Sequence, residues 1–406
     1  MTTSAARRPS VLMVTGAYFP ELSGGGLQCR TMIHALGEWL DFQVLTTCSD
    51  ATLPAEQVVE GTPITRIYVD VSRPVTKVAA AWQTVSFFLC RHVTFDAVHL
   101  HGFSHKSVLV ILLARLLGKK VVITIHTAGT DEPEGVRRLG RLAYWCYSNA
   151  DRFLAVSEAM ARNYRAAGLP ESHLRVVPNG VDTERFRPAV AGERDRCCRE
   201  LGLDPVFRWV AFVGFFSREK SPDVLFEAWL ALPSALREYT GLVFAGAAES
   251  RYHEVDPALA ERIRQEAGRL GLADRVRFIG EIRAVEQVYR AADVLAMPST
   301  REAFGMVLIE AMASGLPVVA TRIEGVTEAI VDDGVTGILA PPRDVAAWTG
   351  ALAWVLTDPA RARAMGDRAR QSAGPRYGLE ESARRWQAIY GELTPAAIPY
   401  TPAGNE

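Results

Sequence analysis

A chain of 406 residues, 49% hydrophobic and 22% charged, has room for two or three domains and too much apolar content for wholesale disorder. Lysine plus arginine (45) balance aspartate plus glutamate (46), which argues against a general nucleic-acid binder. Six scattered cysteines form no Cys-x-x-Cys pair, which excludes a disulfide framework, a zinc ribbon and a thioredoxin-like site, so a reduced cytoplasmic protein is expected. The N-terminal segment carries Arg7 and Arg8, but the apolar run behind them (11–14) is too short for a signal-peptide core. The longest apolar stretch, 108–114, stops at Arg115, well short of the ~20 residues that span a bilayer.

Residues 11–15 read as a buried parallel strand. A Gly-rich loop follows, Ser23-Gly24-Gly25-Gly26, and then a helix over 27–40 with Leu27, Ile33, Leu36 and Leu40 near one face. Further strands are predicted at 42–45, 64–69, 97–101, 121–126, 153–156 and 175–177, with helical stretches between most of them. The turn-rich Pro178-Asn179-Gly180 and Pro188 interrupt this alternation. It resumes with strands at 209–213, 242–245, 276–279, 294–297, 317–320 and 337–339. Residues 379–393 close the chain with Trp386, Ile389 and Tyr390 on a helical period. The pattern predicts an α/β protein of two Rossmann-like, doubly wound domains, 1–180 and 181–378, facing a central cleft. Ligands of such sheets sit at the carboxyl ends of the strands, so functional residues are sought there.

Gly25 and Gly26 lie between a strand and a helix, where glycine permits close backbone approach and a helix start attracts an anion. The pattern is neither a dinucleotide fingerprint nor a P-loop, and a plain turn explains it equally well. His126 ends an apolar strand and would point toward a ligand, to meet a sugar hydroxyl or a developing charge; a structural histidine is the plainer alternative. His99 and His101 share a strand face with His105 nearby, but lack the converging carboxylate a metal site wants, so packing is expected of them. Arg218 and Lys220 follow a strong strand and suit a diphosphate, unless the loop is merely solvated. The most informative segment is 298–320, in which Glu302 occupies a loop and Glu310 a helix. The amides of Phe304, Gly305, Met306 and Val307 would be presented at the helix start. Glu310, among apolar neighbours, requires a partner.

Four segments together make the chain resemble the retaining glycosyltransferases of family 4 over nearly its whole length. They are Tyr18-Phe19-Pro20 with Gly25-Gly26, Val177-Pro178-Asn179-Gly180-Val181-Asp182, Glu219-Lys220 with Asp223-Val224-Leu225, and Glu302-Ala303-Phe304-Gly305 with Glu310-Ala311-Met312-Ala313. The resemblance implies the two-domain GT-B architecture, with the final helix around Trp386 crossing back onto the N-terminal domain. It implies that Glu310 holds the donor ribose, that Glu302 holds hydroxyls of the donor sugar, that the amides near Phe304-Gly305-Met306 hold the sugar or diphosphate, and that Lys220 binds diphosphate. His126 would lie near the transferring sugar, and the base near Ile282. The family's usual Arg in the phosphate loop is Phe215 here, with Arg218 a candidate replacement. The first Gly of a later Gly-Gly-x-x-Glu is Glu324, and the usual Gly-His before the second strand of that half is missing.

The expectation is therefore a retaining glycosyltransferase. It would move a sugar from a nucleotide-diphosphate donor to an acceptor hydroxyl on a glycan, lipid or small molecule, with no metal and no cofactor beyond the nucleotide sugar. Two rivals are a nucleotide-sugar epimerase and a catalytically silent nucleotide-sugar scaffold. Peripheral contact with an anionic membrane is a further reading. It rests on the basic residues Lys106, Arg115, Lys119, Lys120, Arg137, Arg138 and Arg141 beside segment 79–90, which holds Trp82, Val85, Phe87, Phe88 and Leu89. The plainer alternative is a core-facing helix with a solvated charged face.

Overall fold

The computed structural model describes residues 8–21, 24–247 and 255–393; Arg7 and Ser23 lie outside them. The chain divides into two units, one running to Gly180 and resuming at Glu380, the other spanning Val181–Leu379.

The first unit is built on an eight-stranded sheet: β1 (Ser10–Thr15), β2 (Asp41–Cys48), β3 (Glu56–Val59), β4 (Thr62–Tyr68), β5 (Ala97–His101), β6 (Lys120–Ile125), β7 (Arg152–Ala155) and β8 (Leu174–Val176). The order is β3-β4-β2-β1-β5-β6-β7-β8. Strands covered on both faces are apolar throughout, which is why most of them are legible as short runs. β3 is the exception. It is an exposed edge strand paired antiparallel to β4 through Glu60-Gly61, both at positive φ, and its only apolar residues are the adjacent Val58 and Val59, too few to form a run.

The helix Gly24–Leu36 begins and ends earlier than the sequence suggests. Its covered face is formed by Cys29, Met32 and Leu36, whereas Leu27 is exposed. The helix Leu379–Leu393 adds Trp386, Ile389, Tyr390 and Leu393 to a core with Val11, Met13, Met32 and Leu36. Each such apolar side chain contributes about 1.5–3 kcal/mol on burial, so this last segment is integral to the first unit.

The second unit has six parallel strands: β9 (Arg208–Val213), β10 (Thr240–Ala245), β11 (Val276–Gly280), β12 (Val294–Met297), β13 (Val318–Thr321) and β14 (Gly337–Ala340). Their order is β11-β10-β9-β12-β13-β14. A cluster of Phe212, Phe216, Phe244 and Phe278, with ring centroids 5.1–5.8 Å apart, packs on the β11-β10-β9 half of this sheet.

In each unit the strand order reverses once, between β1 and β5 and between β9 and β12. At a reversal the loops after the two strands diverge and leave a crevice at the carboxyl ends. Among the described residues, no helix is long and apolar enough to cross a membrane.

Candidate active site

In the second unit the reversal point joins the two loops that the sequence singles out. Gly214 opens the loop after β9, and the loop after β10 passes so close that a Cβ on Gly246 would lie 2.1 Å from the Gly214 carbonyl oxygen. Only glycine fits there. The β9 loop then tightens, with the Lys220 amide donating to the Ser217 carbonyl at 3.1 Å, before the helix Pro222–Leu230. The β12 loop is pinned alongside it by the Thr300 amide donating to the Glu219 carbonyl at 2.7 Å. Lys220 and Glu302 thereby meet, with Nζ donating to Oε1 at 2.6 Å. Glu302 is largely covered, its side chain only 12% exposed. An ammonium has three protons, so Lys220 can keep this bond and still donate to an anion.

Arg218 does not join the pair. The same turn throws its side chain outward, and its ionic partner is Asp256 at 3.8 Å. The side chain of this candidate replacement for the family's usual phosphate-loop Arg is 87% exposed and meets Asp256, not Glu302.

Beyond Glu302, Phe304 is buried edge-on against Tyr377, with centroids 5.8 Å apart. Gly305 takes φ +103°, a left-handed conformation, and caps the helix Met306–Ala313. The Leu308 amide folds back to the Gly305 carbonyl at 3.0 Å. The amides of Met306 and Val307, at the first two helical positions, have no intrahelical acceptor. Both residues are half-buried, and a helix start of this kind is suited to an anion.

One turn on, Glu310 accepts the Tyr289 hydroxyl at 2.7 Å on Oε2. Burial raises the Glu310 pKa, and the Tyr289 bond partly opposes that. Tyr289, in the helix Glu286–Ala291, is the partner the sequence requires but does not name, because it comes from a separate helix. Ile282 is half-buried in the loop after β11.

In the first unit, His126 lies one residue past the end of β6. His101 of β5 pairs with Thr124 of β6, so His126 falls on the His101 face of the sheet. The rings stack 5.2 Å apart and nearly parallel, and His101 Nδ1 meets His126 Nε2 at 3.0 Å. His99 stacks on the other side of His101 at 4.4 Å and bridges Tyr390 Oη and Thr124 Oγ1, each at 2.6 Å. His105 stands apart on the exposed first turn of the helix His105–Leu116. Burial holds all three stacked rings neutral at neutral pH, bringing His126 down to about 4 and His99 to about 3, with His101 also well below its ordinary value.

Gly25 abuts the stack: a Cβ there would lie 3.5 Å from the His101 carbonyl and 3.8 Å from His126 Cδ2. Gly26 is buried one residue further into the same helix. Asp131, which sequence reasoning did not single out, latches the site. Its buried carboxylate accepts the amides of Phe103 (2.9 Å), His126 (3.0 Å) and Thr127 (2.8 Å), tying the β5 loop to the β6 loop. Lys106 Nζ reaches Thr47 Oγ1 at 2.7 Å near Gly16, at the carboxyl end of β1, and desolvation lowers its pKa.

Two family models match: "Glycosyltransferase Family 4" over residues 22–185 and "Glycosyl transferases group 1" over residues 199–372. Among curated proteins, the D-inositol 3-phosphate glycosyltransferase of Corynebacterium urealyticum is 32% identical over 331 residues, covering 78% of this chain and 76% of that one. That of Actinosynnema mirum is 35% identical over 73% of this chain and 72% of its own. That of Nocardia farcinica is 40% identical over a shorter match, 60% of this chain and 56% of its own. Among solved structures, Anabaena Alr3699/HepE in complex with UDP-glucose superposes with a TM-score of 0.78 at 20% identity, covering 95% of this chain and all of that one. Sucrose-phosphate synthase from Thermosynechococcus elongatus does so at 0.77 and 23% identity, covering 96% and 100%.

Proposed function

The chain belongs to glycosyltransferase family 4, whose members transfer sugar from nucleotide sugars, and on that premise we propose a retaining, metal-independent transfer centred on Lys220, Glu302 and Glu310. The observation that carries the assignment is the Lys220–Glu302 pair at the β9/β12 reversal, beside the amides that open the helix Met306–Ala313.

In this reading Glu310 takes the ribose hydroxyls on Oε1, the oxygen for which the described residues supply no partner. Lys220 and the Met306 and Val307 amides hold the diphosphate. As the bond from the sugar to phosphate breaks, negative charge grows on the leaving phosphate, and fixed donors stabilise it without reorganising. The sugar passes through an oxocarbenium-like state. Glu302 holds a donor-sugar hydroxyl on the oxygen not given to Lys220. The leaving phosphate assists proton removal from the acceptor on the same face, which retains configuration. His126 addresses the sugar.

For the acceptor we propose a small phosphorylated polyol, after the curated relatives. Lys106 suits one, since its ammonium has no carboxylate partner among the described residues and stands at the reversal point of the first sheet. Peripheral membrane contact is a separate proposal, resting on the exposed apolar face of the helix Pro74–Arg91.

The test is to incubate the protein with a panel of UDP-, GDP- and ADP-sugars, with and without polyol phosphates, and measure released nucleoside diphosphate and glycoside. Release that depends on a phosphorylated acceptor supports the reading. Release without any acceptor points to an epimerase or hydrolase, and binding without turnover to a scaffold. Loss of activity in chelator, restored by a divalent ion, overturns the metal-free part.

A further inference from the structure

His101 and His126 share one short contact, and the contact constrains what His126 can offer a ligand. His126 Nε2 is occupied by His101 Nδ1 at 3.0 Å, with the rings stacked and only 12° from parallel. His126 is half-buried, and among the described residues its Nδ1 meets no partner. Only Nδ1 is therefore available to a substrate.

The proton between the rings can lie on either nitrogen. If His126 donates, His101 must accept on Nδ1 and carry its own proton on Nε2. That atom is buried and has no hydrogen-bond partner. If His101 donates, the orphan is a lone pair and no N–H is stranded. Buried N–H groups without an acceptor are the rarer arrangement in folded proteins. The hydrogen bond on one ring nitrogen sets the protonation of the other.

We propose that His101 is a positioning residue that fixes His126 as its Nδ1–H tautomer, so that His126 presents a hydrogen-bond donor, not an acceptor, to the sugar oxygen it meets. The surroundings favour two neutral rings. His101 lies between His99 and His126, and Gly25, in the first turn of the helix Gly24–Leu36, abuts both His101 and His126. A helix start carries partial positive charge and opposes protonation of a nearby ring. The Asp131 carboxylate accepts the His126 backbone amide and not the ring. A donor at this place suits a sugar hydroxyl oxygen, since the ring oxygen loses electron density in an oxocarbenium-like state, and it is not suited to removing a proton from the acceptor.

The inference rests on the reading that His126 faces the transferring sugar, and two measurements separate the failure of one from the failure of the other. The first uses the full chain labelled with 15N-histidine, whose eight histidines give a tractable long-range 1H–15N spectrum. His126, assigned through a His126→Asn variant, is expected to show protonated Nδ1 and bare Nε2 at pH 7. The opposite pattern, protonated Nε2, overturns the proposal.

The second measurement is kinetic. His101→Phe keeps an aromatic ring in the stack but removes the donor, and should lower kcat roughly tenfold with little change in donor KM. His101→Asn places an amide N–H near the position of Nδ1 and should recover most of the loss. Thermal melts of both variants identify a folding defect, in which case the spectrum of the wild-type chain alone decides. Wild-type kcat in His101→Phe, alongside a damaged His126→Ala, overturns the positioning role. Wild-type kcat in His126→Ala overturns the reading beneath it.

Discussion

Glu310 receives one bond from Tyr289 on Oε2, and if its other oxygen takes the donor ribose as proposed, deleting the carboxylate and deleting the phenol should have unequal effects. Glu310→Ala should weaken nucleotide binding by about 1.5–3 kcal/mol, the range for a hydrogen bond to a charged group. Tyr289→Phe should cost less, because it leaves the carboxylate and only loosens its aim. Calorimetry with the bare nucleoside diphosphate checks both, and unchanged affinity in Glu310→Ala removes the ribose assignment. Lys220→Ala should lower turnover by a factor of roughly 10 to 1,000, as for loss of one electrostatic stabiliser. The stacked histidines add a pH dependence. His126 and His99 titrate near 4 and 3 in the folded chain against an ordinary 6.5, so between those values the unfolded chain holds more protons. Stability should therefore be full above pH 6.5 and fall as pH drops toward 4. Melting temperatures at stepped pH test this, and a flat profile from 6.5 to 5 would contradict the burial of the stack. At this scale the residue types at the site were legible, since Glu302, Glu310, Lys220 and His126 all follow strands. Their partners were not, because Tyr289, His101 and Asp131 depend on which elements pack side by side.

Among the elements, the helix Met306–Ala313 matters most, and its start depends on one backbone conformation. Gly305 sits at φ +103°, and a Cβ there would lie 3.3 Å from Leu308 Cδ1. Gly305→Ala should strain the cap and shift the Met306 and Val307 amides. We expect a lower melting temperature by a few degrees and weaker diphosphate binding, because left-handed backbone is disfavoured for residues with a Cβ. Unaltered diphosphate affinity in a folded Gly305→Ala chain would remove those amides from the site. Parallel strands were readable because both faces are covered and the runs are apolar. β3 was not, since an exposed edge strand of four residues with only Val58 and Val59 apolar makes no legible run. The misplaced helix 27–40 has a similar cause. Leu27 matches the apolar period, but the glycines before it are already helical and the face rotates onto Cys29 and Met32.

For the whole molecule, the remaining question is which surface meets a partner. The basic residues that suggested a membrane face are mostly engaged within the first unit. Lys119 donates to the Phe95 carbonyl, Lys120 pairs with Asp151, and Arg137 and Arg138 pair with Glu134. Phe87 and Phe88 are core residues packed on Phe95. What is exposed is the other side of the helix Pro74–Arg91, where Val75, Val78, Trp82 and Leu89 share a face and Trp82 is 72% exposed. This helix contains no acidic residue; Lys77 and Arg91 lie on the side opposite the apolar face, and Arg91 pairs there with Glu56 at 2.7 Å. A surface of that kind inserts its apolar side chains at a lipid boundary and is drawn to anionic headgroups. The protein is therefore expected to co-sediment with anionic vesicles and weakly with neutral ones, and to release as salt screens the charge. Trp82→Ser combined with Val78→Ser should reduce sedimentation strongly, because the exposed apolar area is what inserts. Reversing Lys119, Lys120, Arg137 and Arg138 should matter less, since their charges already have partners. Donor binding, proposed above for Lys220, Glu302 and Glu310 of the second unit, should be untouched in both variants. Absence of enrichment on anionic vesicles at low salt would remove the membrane reading and leave a small soluble acceptor, and a stronger effect from the charge reversal than from Trp82 would reassign the contact to the basic face.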